Sequence, residues 1–418
     1  MPGNKTVVVV GGGMSGMTVA LEAAETGAQV HLLEQGLSLG GRIAQLARYF
    51  PKMCPPSCGL EINYRRLRKN PNVMVHTLTK VTAINGGPGA FEVAIETAPR
   101  FVNGDCTCCG DCIDACGVER ENAFNYGLDK SSAIFLPHPM AYPMTYAVDN
   151  AICPSGCQKC VDVCKVNAIN LKEEGTTDTL KADAIAVATG WTPYDATKLD
   201  QLGFGKYENV ITNVMMERML AEDGPTSGKA VKPSDGEAPK RIAYVQCAGS
   251  RDRKHLPYCS AVCCGASMKE AIVMREVDEA VEQTIFYIDR RVMGRNEDVL
   301  AKVEADEKTL LQRGKVAKIV EDATTKVLTL SAEDTDTGNR VEAEADLVVL
   351  ATGMVPNNGD LPLPESCQVD DNGFLVAGGL ESGVVPAGCA VRPAPMAACM
   401  QDATGAALKT LVIAAKAS

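Results

Sequence analysis

Short apolar runs followed by small residues recur along the chain. The segment KTVVVVGGGMSG (Lys5–Gly16) is echoed by KRIAYVQCAGSR (Lys240–Arg251), and ADAIAVATGWTP (Ala182–Pro193) is echoed by ADLVVLATGMVP (Ala345–Pro356). Continuous apolar runs bounded by turn residues are typical of buried parallel strands. The segments of the first pair are typical of the strand that begins a nucleotide-binding unit. The segments of the second pair are typical of the strand that ends such a unit. The pattern predicts an α/β protein with two dinucleotide-type units, one nested inside the other.

A glycine motif directly follows the first strand. Residues 11 to 16 read G-x-G-x-x-G after four valines, and the run Gln29–Leu33 then forms a second predicted strand. It ends in Glu34, at the distance where an acid binds a ribose hydroxyl. Such glycines let the backbone approach a pyrophosphate, and the helix N-terminus supplies positive partial charge. The predicted dinucleotide contacts are Gly11, Gly13, Met14, Ser15, Gly16 and Glu34.

The residues just after this acid favour FAD over NAD. Gly40, Gly41 and Arg42 in LGGRIAQL resemble the two-dinucleotide-domain flavoproteins of the glutathione reductase and thioredoxin reductase superfamily. The resemblance implies that a segment after the second ATG-type strand returns to the flavin, and Pro386–Ala407 fits this segment. Cys389 stands there in place of the usual aspartate. The further predicted flavin contacts are Val81, Ala188, Thr189, Gly190, Gly388, Cys389 and Ala390.

Composition narrows the chemistry. The chain has 418 residues, a formal net charge of −11 and 5% aromatic residues, which disfavours a surface for nucleic acid or for an anionic membrane. No signal peptide precedes the first strand, and no apolar stretch approaches the length of a membrane-spanning helix. We therefore expect a cytoplasmic protein, in which the 18 cysteines bind metal or a redox cofactor rather than form disulfides.

Nine of these cysteines lie between Cys106 and Cys164. They form two runs with x2–x2–x3 and x3–x2–x3 spacing, which predicts a ferredoxin-like module with two [4Fe–4S] clusters, each taking its fourth ligand from the other run. Zinc is the competing interpretation. Gly117 and Lys165 replace the usual prolines, and Cys108 is a spare thiol. The predicted ligands are Cys106, Cys109, Cys112 and Cys164 for one cluster, and Cys153, Cys157, Cys160 and Cys116 for the other.

The predicted fold class is thus a two-dinucleotide-binding-domain flavoprotein, glutathione or thioredoxin reductase-like, with an inserted two-cluster ferredoxin-like module. The Gly, Pro, Ser and charged residues around 221–239 suggest a connector. The predicted organisation is an FAD-binding domain in three parts (1–97, 172–220 and 345–418), the insert (98–171), a linker (221–239) and a degenerate NAD-type domain (240–344).

Several stretches carry a closer resemblance. LGGRIAQLARYFPKMCPPSC, GFGKYENVITNVMMERML, KPSDGEAPKRIAYVQCAGSRD and YCSAVCC resemble the A subunit of heterodisulfide reductase, a flavin and iron–sulfur electron hub of methanogens. The chain ends soon after Ala407, without the C-terminal ferredoxin extension of the methanogen form. This compact form resembles the A subunit of the quinone-interacting membrane-bound oxidoreductase of sulfate-reducing bacteria.

That second resemblance implies a place in sulfate respiration. Electrons would pass between the menaquinone pool and adenylylsulfate reductase. The implied partners are a related flavin and iron–sulfur subunit together with a haem-bearing membrane subunit, through which the chain would lie at the inner face of the membrane. Flavin-based coupling of two acceptors is implied only by family analogy.

The second unit lacks the glycines that an NAD(P)H site needs. Where a second G-x-G-x-x-G would stand, the chain reads CAGSRD from Cys247, and Cys259, Cys263 and Cys264 follow. The family resemblance implies that these four thiols bind a third [4Fe–4S] cluster. A zinc site, a redox disulfide and buried thiols are the alternatives. The basic residues Arg251, Arg253, Lys254 and His255 would offset the negative charge of such a cluster.

The remaining cysteines give weaker signals. Cys54 and Cys58 in MCPPSC lie about where superfamily disulfide reductases place a redox pair, but the x3 spacing and two prolines are unusual. A thiol pair near the flavin, an extra ligand set and a structural role all stay open. Cys367 and Cys399 are expected to be ordinary small core residues.

These features together predict an electron relay. FAD can take two electrons together and release them singly, and each cubane carries one. Two rival hypotheses are an NAD(P)H-dependent disulfide reductase using Cys54 and Cys58, and a scaffold subunit whose clusters are structural.

Overall fold

The computed structural model describes residues 5–49, 52–292 and 294–416. Its strands are β1 (Thr6–Val10), β2 (Gln29–Leu33), β3 (Val73–His76), β4 (Thr79–Asn85), β5 (Phe91–Thr97), β6 (Glu119–Glu121), β7 (Lys130–Ser132), β8 (Ile134–Phe135), β9 (Ala147–Val148), β10 (Thr176–Ala182), β11 (Ala184–Val187), β12 (Trp191–Pro193), β13 (Val210–Thr212), β14 (Arg241–Ala248), β15 (Glu282–Tyr287), β16 (Thr309–Arg313), β17 (Val316–Glu321), β18 (Leu328–Glu333), β19 (Arg340–Ala345), β20 (Leu347–Thr352), β21 (Met354–Pro356) and β22 (Val384–Pro386). Its helices are α1 (Met14–Glu25), α2 (Ser57–Lys69), α3 (Asp111–Ala115), α4 (Lys159–Asp162), α5 (Asn213–Leu220), α6 (Cys263–Val277), α7 (Glu297–Glu304) and α8 (Met396–Lys416).

The first unit is a parallel sheet covered on both faces. Its five strands run in the order β22-β11-β1-β2-β3. Alternate valines of β1 serve different layers: Val7 and Val9 pack against α1 and α8, and Val8 and Val10 pack against the antiparallel meander β10-β5-β4. This two-sided burial explains why β1 is an unbroken apolar run.

The second unit repeats the plan. Its sheet has the order β13-β20-β14-β15-β16, and a second meander, β17-β18-β19, covers one face. Ile242 and Tyr244 of β14 pack toward α6, and Ala243 and Val245 pack toward the meander. The antiparallel strands β12 and β21 join the two units. The strands of the second unit therefore lie, along the sequence, between strands of the first unit.

The strand pairing differs from the predicted domain boundaries. Both β13 and β20 pair in the second sheet, in parallel with each other, although 172–220 and 345–418 were assigned to the FAD-binding domain. The second unit thus begins after β12 and ends before β21. Residues 221–239 lie between α5 and β14, inside the second unit, so they form a loop of that unit rather than a linker between units.

The cysteine-rich insert leaves the first unit after β5 and returns at β10, and these two strands pair antiparallel. Its base is closed by backbone hydrogen bonds, from the Asn103 amide to Ala168 (2.8 Å) and from the Asn170 amide to Phe101 (2.9 Å). Seven of its cysteines surround or enter one small apolar core with Ile134 and Ile169: Cys106, Cys108, Cys112, Cys116, Cys153, Cys160 and Cys164. The insert therefore has a core of its own.

Within the described ranges, no helix combines the length and the apolar character needed to cross a bilayer.

Candidate functional site

The glycine motif forms a tight turn between β1 and α1. Gly11 has φ +106°, and a Cβ placed there would lie 2.3 Å from the carbonyl oxygen of Ala188. A Cβ on Gly16 would lie 1.8 Å from the carbonyl oxygen of Gly11. Real atoms cannot approach this closely, so only glycine allows the turn and the neighbouring β11 end to pack together.

Glu34 directly follows β2 and lies beside this turn. Its two carboxylate oxygens accept hydrogen bonds from the amides of Gly12 and Gly36, both at 2.7 Å. Burial raises the pKa of Glu34, and the two amide hydrogen bonds oppose that shift. An ionised carboxylate has lone pairs beyond these two bonds. Its position and its free acceptor capacity fit the predicted contact with a ribose hydroxyl.

The second glycine pair lies against the first. The Gly40 amide donates to the carbonyl oxygen of Gly12 (2.9 Å), and a Cβ on Gly41 would lie 3.0 Å from the Cα of Gly13. The side chain of Arg42 donates to the backbone oxygen of Trp191 (3.1 Å) and to the hydroxyl of Tyr126 (2.8 Å). These hydrogen bonds hold the Arg42 side chain between the loop that contains Gly40 and Gly41, strand β12 and the insert.

The segment that follows β22 also reaches the glycine turn between β1 and α1. A Cβ on Gly388 would lie 2.2 Å from the hydroxyl oxygen of Ser15, at the start of α1. Asn358 joins the two remaining predicted segments, because its oxygen accepts from the Thr189 hydroxyl (2.6 Å) and its amide donates to the Ala390 carbonyl (3.0 Å). No sequence motif indicated a role for Asn358.

The predicted flavin contacts therefore converge from four segments. They meet at the carboxyl ends of β1, β2 and β11, where open α/β sheets bind their ligands. Gly190 follows with φ +71°. Val81 lies in the core that also contains Val10 and Leu33, the last residues of β1 and β2. The arrangement fits a dinucleotide whose pyrophosphate faces the α1 N-terminus.

The second cysteine run lines an open cavity of about 590 Å³ in the insert. Its wall includes the four residues predicted as one ligand set: Cys116, Cys153, Cys157 and Cys160. Burial, followed by the thiolates of Cys116 and Cys157, raises the pKa of Cys153. A bound cation would reverse that effect, because thiolates bind metal in the deprotonated form.

The first run forms a second group. Burial, and next the thiolates of Cys106 and Cys109, raise the pKa of Cys112 to about 11. Cys108 lies beside Cys106, and burial raises its pKa to about 11 as well. Cys164 packs in the same core and accepts a hydrogen bond from the Ala168 amide at 3.3 Å.

This arrangement bears on the choice between zinc and iron–sulfur. Across residues 5–49, 52–292 and 294–416, no group of three or more His, Cys, Asp or Glu side chains converges on the position of a single metal ion. Zinc and a [4Fe–4S] cube both take cysteine thiolates as ligands. The four cysteines around the cavity therefore fit either group.

A third group of thiols lies at the junction of β14 and α6. Cys247 is near the end of β14, where the ladder shifts register between Val245 and Ala248, and Cys263 and Cys264 are the first two residues of α6. A hydrogen bond from Cys263, opposed by burial and aided by Arg251, lowers the pKa of Cys247 to about 7.

The same group includes Cys259. Its charge and that of Cys247 contribute, after burial, to the raised pKa of Cys264. Three non-glycine residues have positive φ in this region: Cys247 (57°) near the end of β14, and Arg251 (56°) and Ala261 (61°) in the connecting loop. Such strain is concentrated at functional sites. The four thiols predicted as a third ligand set are thus brought together.

Positive charge surrounds this third group. Arg251 pairs with Asp289 at 2.8 Å, and Arg291 pairs with the same carboxylate at 3.5 Å. Both arginines act on Cys247 electrostatically. The N-terminus of the 15-residue helix α6 adds partial positive charge. This environment suits an anionic cluster.

The chain is similar to several known proteins. Residues 9–74 match a family model described as an NAD(P)-binding Rossmann-like domain. The chain is 35% identical over 419 residues to the A subunit of the H(2):CoB-CoM heterodisulfide,ferredoxin reductase of Methanothermobacter thermautotrophicus, with 97% of this chain and 63% of that protein covered. It is 40% identical over 354 residues to the second of two iron-sulfur A subunits of the CoB–CoM heterodisulfide reductase of Methanopyrus kandleri, with 84% and 54% covered. Both relatives are A subunits of heterodisulfide reductases, and the similarity covers most of this chain.

The chain spans about half to two thirds of the length of these relatives. Among solved structures, it is similar to thioredoxin reductase from T. acidophilum (TM-score 0.56, 16% identity, 99% of both chains covered). It is also similar to thioredoxin reductase from Lactococcus lactis (TM-score 0.54, 13% identity, 99% and 100% covered). These likenesses confirm the predicted thioredoxin reductase-like fold.

The other predicted thiols differ in placement. Cys54 and the exposed Cys58 both lie near the hydroxyl of Tyr49, whose pKa is raised first by burial and then by these two thiols. Cys367 is half-buried beside the first meander. Cys389 and Cys399 are both buried, with their sulfurs 3.5 Å apart.

A buried ionic group that no sequence motif indicated joins α5 and α6. Lys269 of α6 pairs with Glu217 of α5 at 2.5 Å, and Glu270 beside it is fully buried. Burial and the neighbouring Glu217 raise the pKa of Glu270 well above its ordinary value. The available signal was the placement of Glu217 inside the apolar run of VMMERML.

Proposed function

We propose that this chain is a flavin and iron–sulfur electron-transfer subunit of an oxidoreductase complex. The proposal depends on one observation: the dinucleotide turn and three groups of cysteine thiols occur in a single folded chain. The names of the relatives, which include the A subunit of a heterodisulfide,ferredoxin reductase and the iron-sulfur A subunit of a CoB–CoM heterodisulfide reductase, support it.

Different sets of residues would form the flavin site and the cluster sites. The Gly11–Gly16 turn, Glu34 and Gly388 would hold FAD, and the three thiol groups would each hold a [4Fe–4S] cluster. Bound FAD would accept electrons in pairs and pass them singly to clusters that carry one each. The insert covers the loop that contains Gly40 and Gly41. The Leu39 amide donates to the Tyr142 carbonyl oxygen, and the Tyr142 amide donates to the Ser38 hydroxyl, both at 2.9 Å. This cover would limit the access of water to the flavin.

Our finer proposal concerns the complex. In it, the chain relays electrons between menaquinone and adenylylsulfate reductase, with a haem-bearing membrane subunit plus a related flavin and iron–sulfur subunit as partners. The support for this proposal is the sequence resemblance. Affinity purification from a sulfate-reducing host under anaerobic conditions tests it, since both partner subunits should be recovered with the tagged chain. Recovery of a partner set without a haem subunit would contradict it.

An anaerobic reductive titration tests the relay itself. Followed by flavin absorbance and electron paramagnetic resonance, the protein should take up electrons at both flavin and clusters, and NADH should not bleach the flavin rapidly. Rapid bleaching by NADH would instead support a self-contained disulfide reductase. Clusters that stay redox-silent would support a scaffold.

A matched pair of variants sharpens this titration. Cys259→Ser removes one thiol of the third group and should lower the iron content by about four atoms per chain, the content of one cube. Cys367→Ser changes a thiol outside the three groups and should leave iron and flavin unchanged. An equal iron content in the two variants would contradict the third cluster.

A further inference from the structure

Two buried thiols outside the predicted cluster sites face each other. The sulfurs of Cys389 and Cys399 lie 3.5 Å apart, and each residue is less than a tenth exposed. Both sulfurs also point to the carbonyl oxygen of Ala394, at 3.6 Å. Cys399 was expected to be an ordinary core residue, and the structure instead pairs it with the residue that replaces the usual flavin-contact aspartate.

The pair adjoins the flavin turn. Cys389 directly follows Gly388, whose backbone packs on Ser15 at the start of α1. A Cβ on Gly388 would lie 3.7 Å from the Cβ of Cys399, so the backbone segments that carry the two thiols are close. The Gly388 amide donates to Asp402 at 2.7 Å, which ties the turn to the same helix, α8, that carries Cys399.

The pair also adjoins the third thiol group. The thiols form a small buried cluster with Met354, and Trp191 and Val262 pack against it. Val262 immediately precedes Cys263. Met354 is tied to the same loop, because its amide donates to the Ser260 hydroxyl (2.9 Å). The thiol pair thus lies between the flavin turn and the predicted third cluster.

We propose that Cys389 and Cys399 form a redox-active dithiol–disulfide pair that exchanges two electrons with the bound flavin. This inference rests on the proposed flavin site. On oxidation, the two S–H bonds break and one S–S bond forms. Two electrons pass to the oxidised flavin, and two protons are released to the flavin and to solvent. The reverse transfer restores both thiols.

The geometry suits this reaction. The sulfurs need to approach by about 1.5 Å to reach the ~2.05 Å of a disulfide bond. Side-chain rotation can supply this approach. The two thiols are also chemically unequal: a hydrogen bond from Cys399 lowers the pKa of Cys389, and the same bond raises that of Cys399. A lower pKa increases the thiolate fraction of Cys389, and the thiolate is the reactive form of cysteine.

The sequence provides a direct assay. Trypsin should release residues 341–409 as one peptide, because its only internal basic residue, Arg392, precedes a proline. This peptide contains three cysteines, Cys367, Cys389 and Cys399, so Cys367 serves as an internal control for alkylation. Flavin-loaded protein is first reduced with dithionite or oxidised anaerobically with ferricenium. It is then denatured in alkylating reagent and analysed by mass spectrometry.

The reduced sample should carry three alkyl groups on this peptide, and the oxidised sample one, on Cys367. Cys367→Ser should retain the disulfide, whereas Cys389→Ser should leave Cys399 alkylated after oxidation. Three alkyl groups in the oxidised, flavin-loaded wild type would overturn the inference.

A comparison of flavin-stripped protein with protein reconstituted with FAD tests the electron acceptor. The disulfide should form at least tenfold faster with FAD, and equal rates would overturn the role of the flavin. A preparation that binds no flavin would overturn the proposed function. The same peptide, equilibrated in dithiothreitol buffers of graded potential, would then decide the redox activity of the pair, and three alkyl groups at every potential would refute it.

Discussion

Lys269→Met removes the cation of a buried ion pair between α6 and α5. The ammonium lies 2.5 Å from Glu217, and the two side chains are 4% and 3% exposed. The same ammonium donates to the carbonyl oxygen of Arg48 at 2.7 Å, and the other Glu217 oxygen accepts from the Ala47 amide at 2.9 Å. The pair therefore joins the second unit to Ala47 and Arg48, which follow the loop that contains Gly40 and Gly41.

The size of the expected loss of stability follows from the burial of this ion pair. Methionine keeps most of the side-chain volume but leaves the Glu217 carboxylate uncompensated beside the fully buried Glu270. Removing one partner of a buried ion pair costs about 3–5 kcal/mol. Since domains are stable by about 5–15 kcal/mol, this is a large part of the total.

Urea unfolding followed by far-UV circular dichroism measures the loss. With a slope of about 3 kcal/mol per molar urea, the midpoint should fall by about 1 M or more. Lys302→Met, at an exposed position of α7, is the matched control and should change stability by less than about 0.5 kcal/mol. The double change of Lys269→Met with Glu217→Gln should recover part of the loss, because residue 217 then carries no unpaired charge. Equal midpoints for the two lysine variants would refute the reasoning.

Three further predictions concern the flavin turn, the insert and the pH dependence of stability. Gly16→Ala should yield protein without bound flavin, because its Cβ would lie 1.8 Å from a backbone oxygen; Gly405→Ala, where no atom lies within 4 Å, should retain it. Cys153→Ser should lower iron by about four atoms per chain relative to Cys367→Ser, as one cube is lost. Burial raises the pKa of Glu270, so the folded state holds a proton that the unfolded chain releases above its ordinary pKa of 4.5, and stability should fall as pH rises. In Glu270→Gln, the melting temperature should no longer fall as pH rises, and this variant should be more stable than the wild type at neutral pH. A melting temperature with the same pH dependence in both proteins would contradict this.

Local patterns predicted much of the fold and of the candidate site. The turn between β1 and α1 is encoded by adjacent residues, so the glycines and Glu34 could be recognised from spacing. The cysteine runs are similarly local, and their spacing pointed to the residues that surround the insert cavity. The approach of Gly388 to Ser15 could be predicted only through resemblance, because no short-range pattern relates residues so distant in the sequence.

Features that depend on non-local packing were missed or misplaced. The pairing of β13 with β20 moved both domain boundaries, since strand order within a sheet cannot be read from either strand. Lys269 and Glu270 look like ordinary surface charges on a helix, and only the docking of α5 buries them. Cys399 looked like a small core residue because its neighbour, Cys389, comes from another element.

Metal and flavin analysis of anaerobically purified protein tests the central claim most directly. The account predicts about twelve iron and twelve acid-labile sulfide atoms per chain, for three cubes of four irons each, together with one FAD. Zinc in place of iron, or iron without flavin, would contradict it.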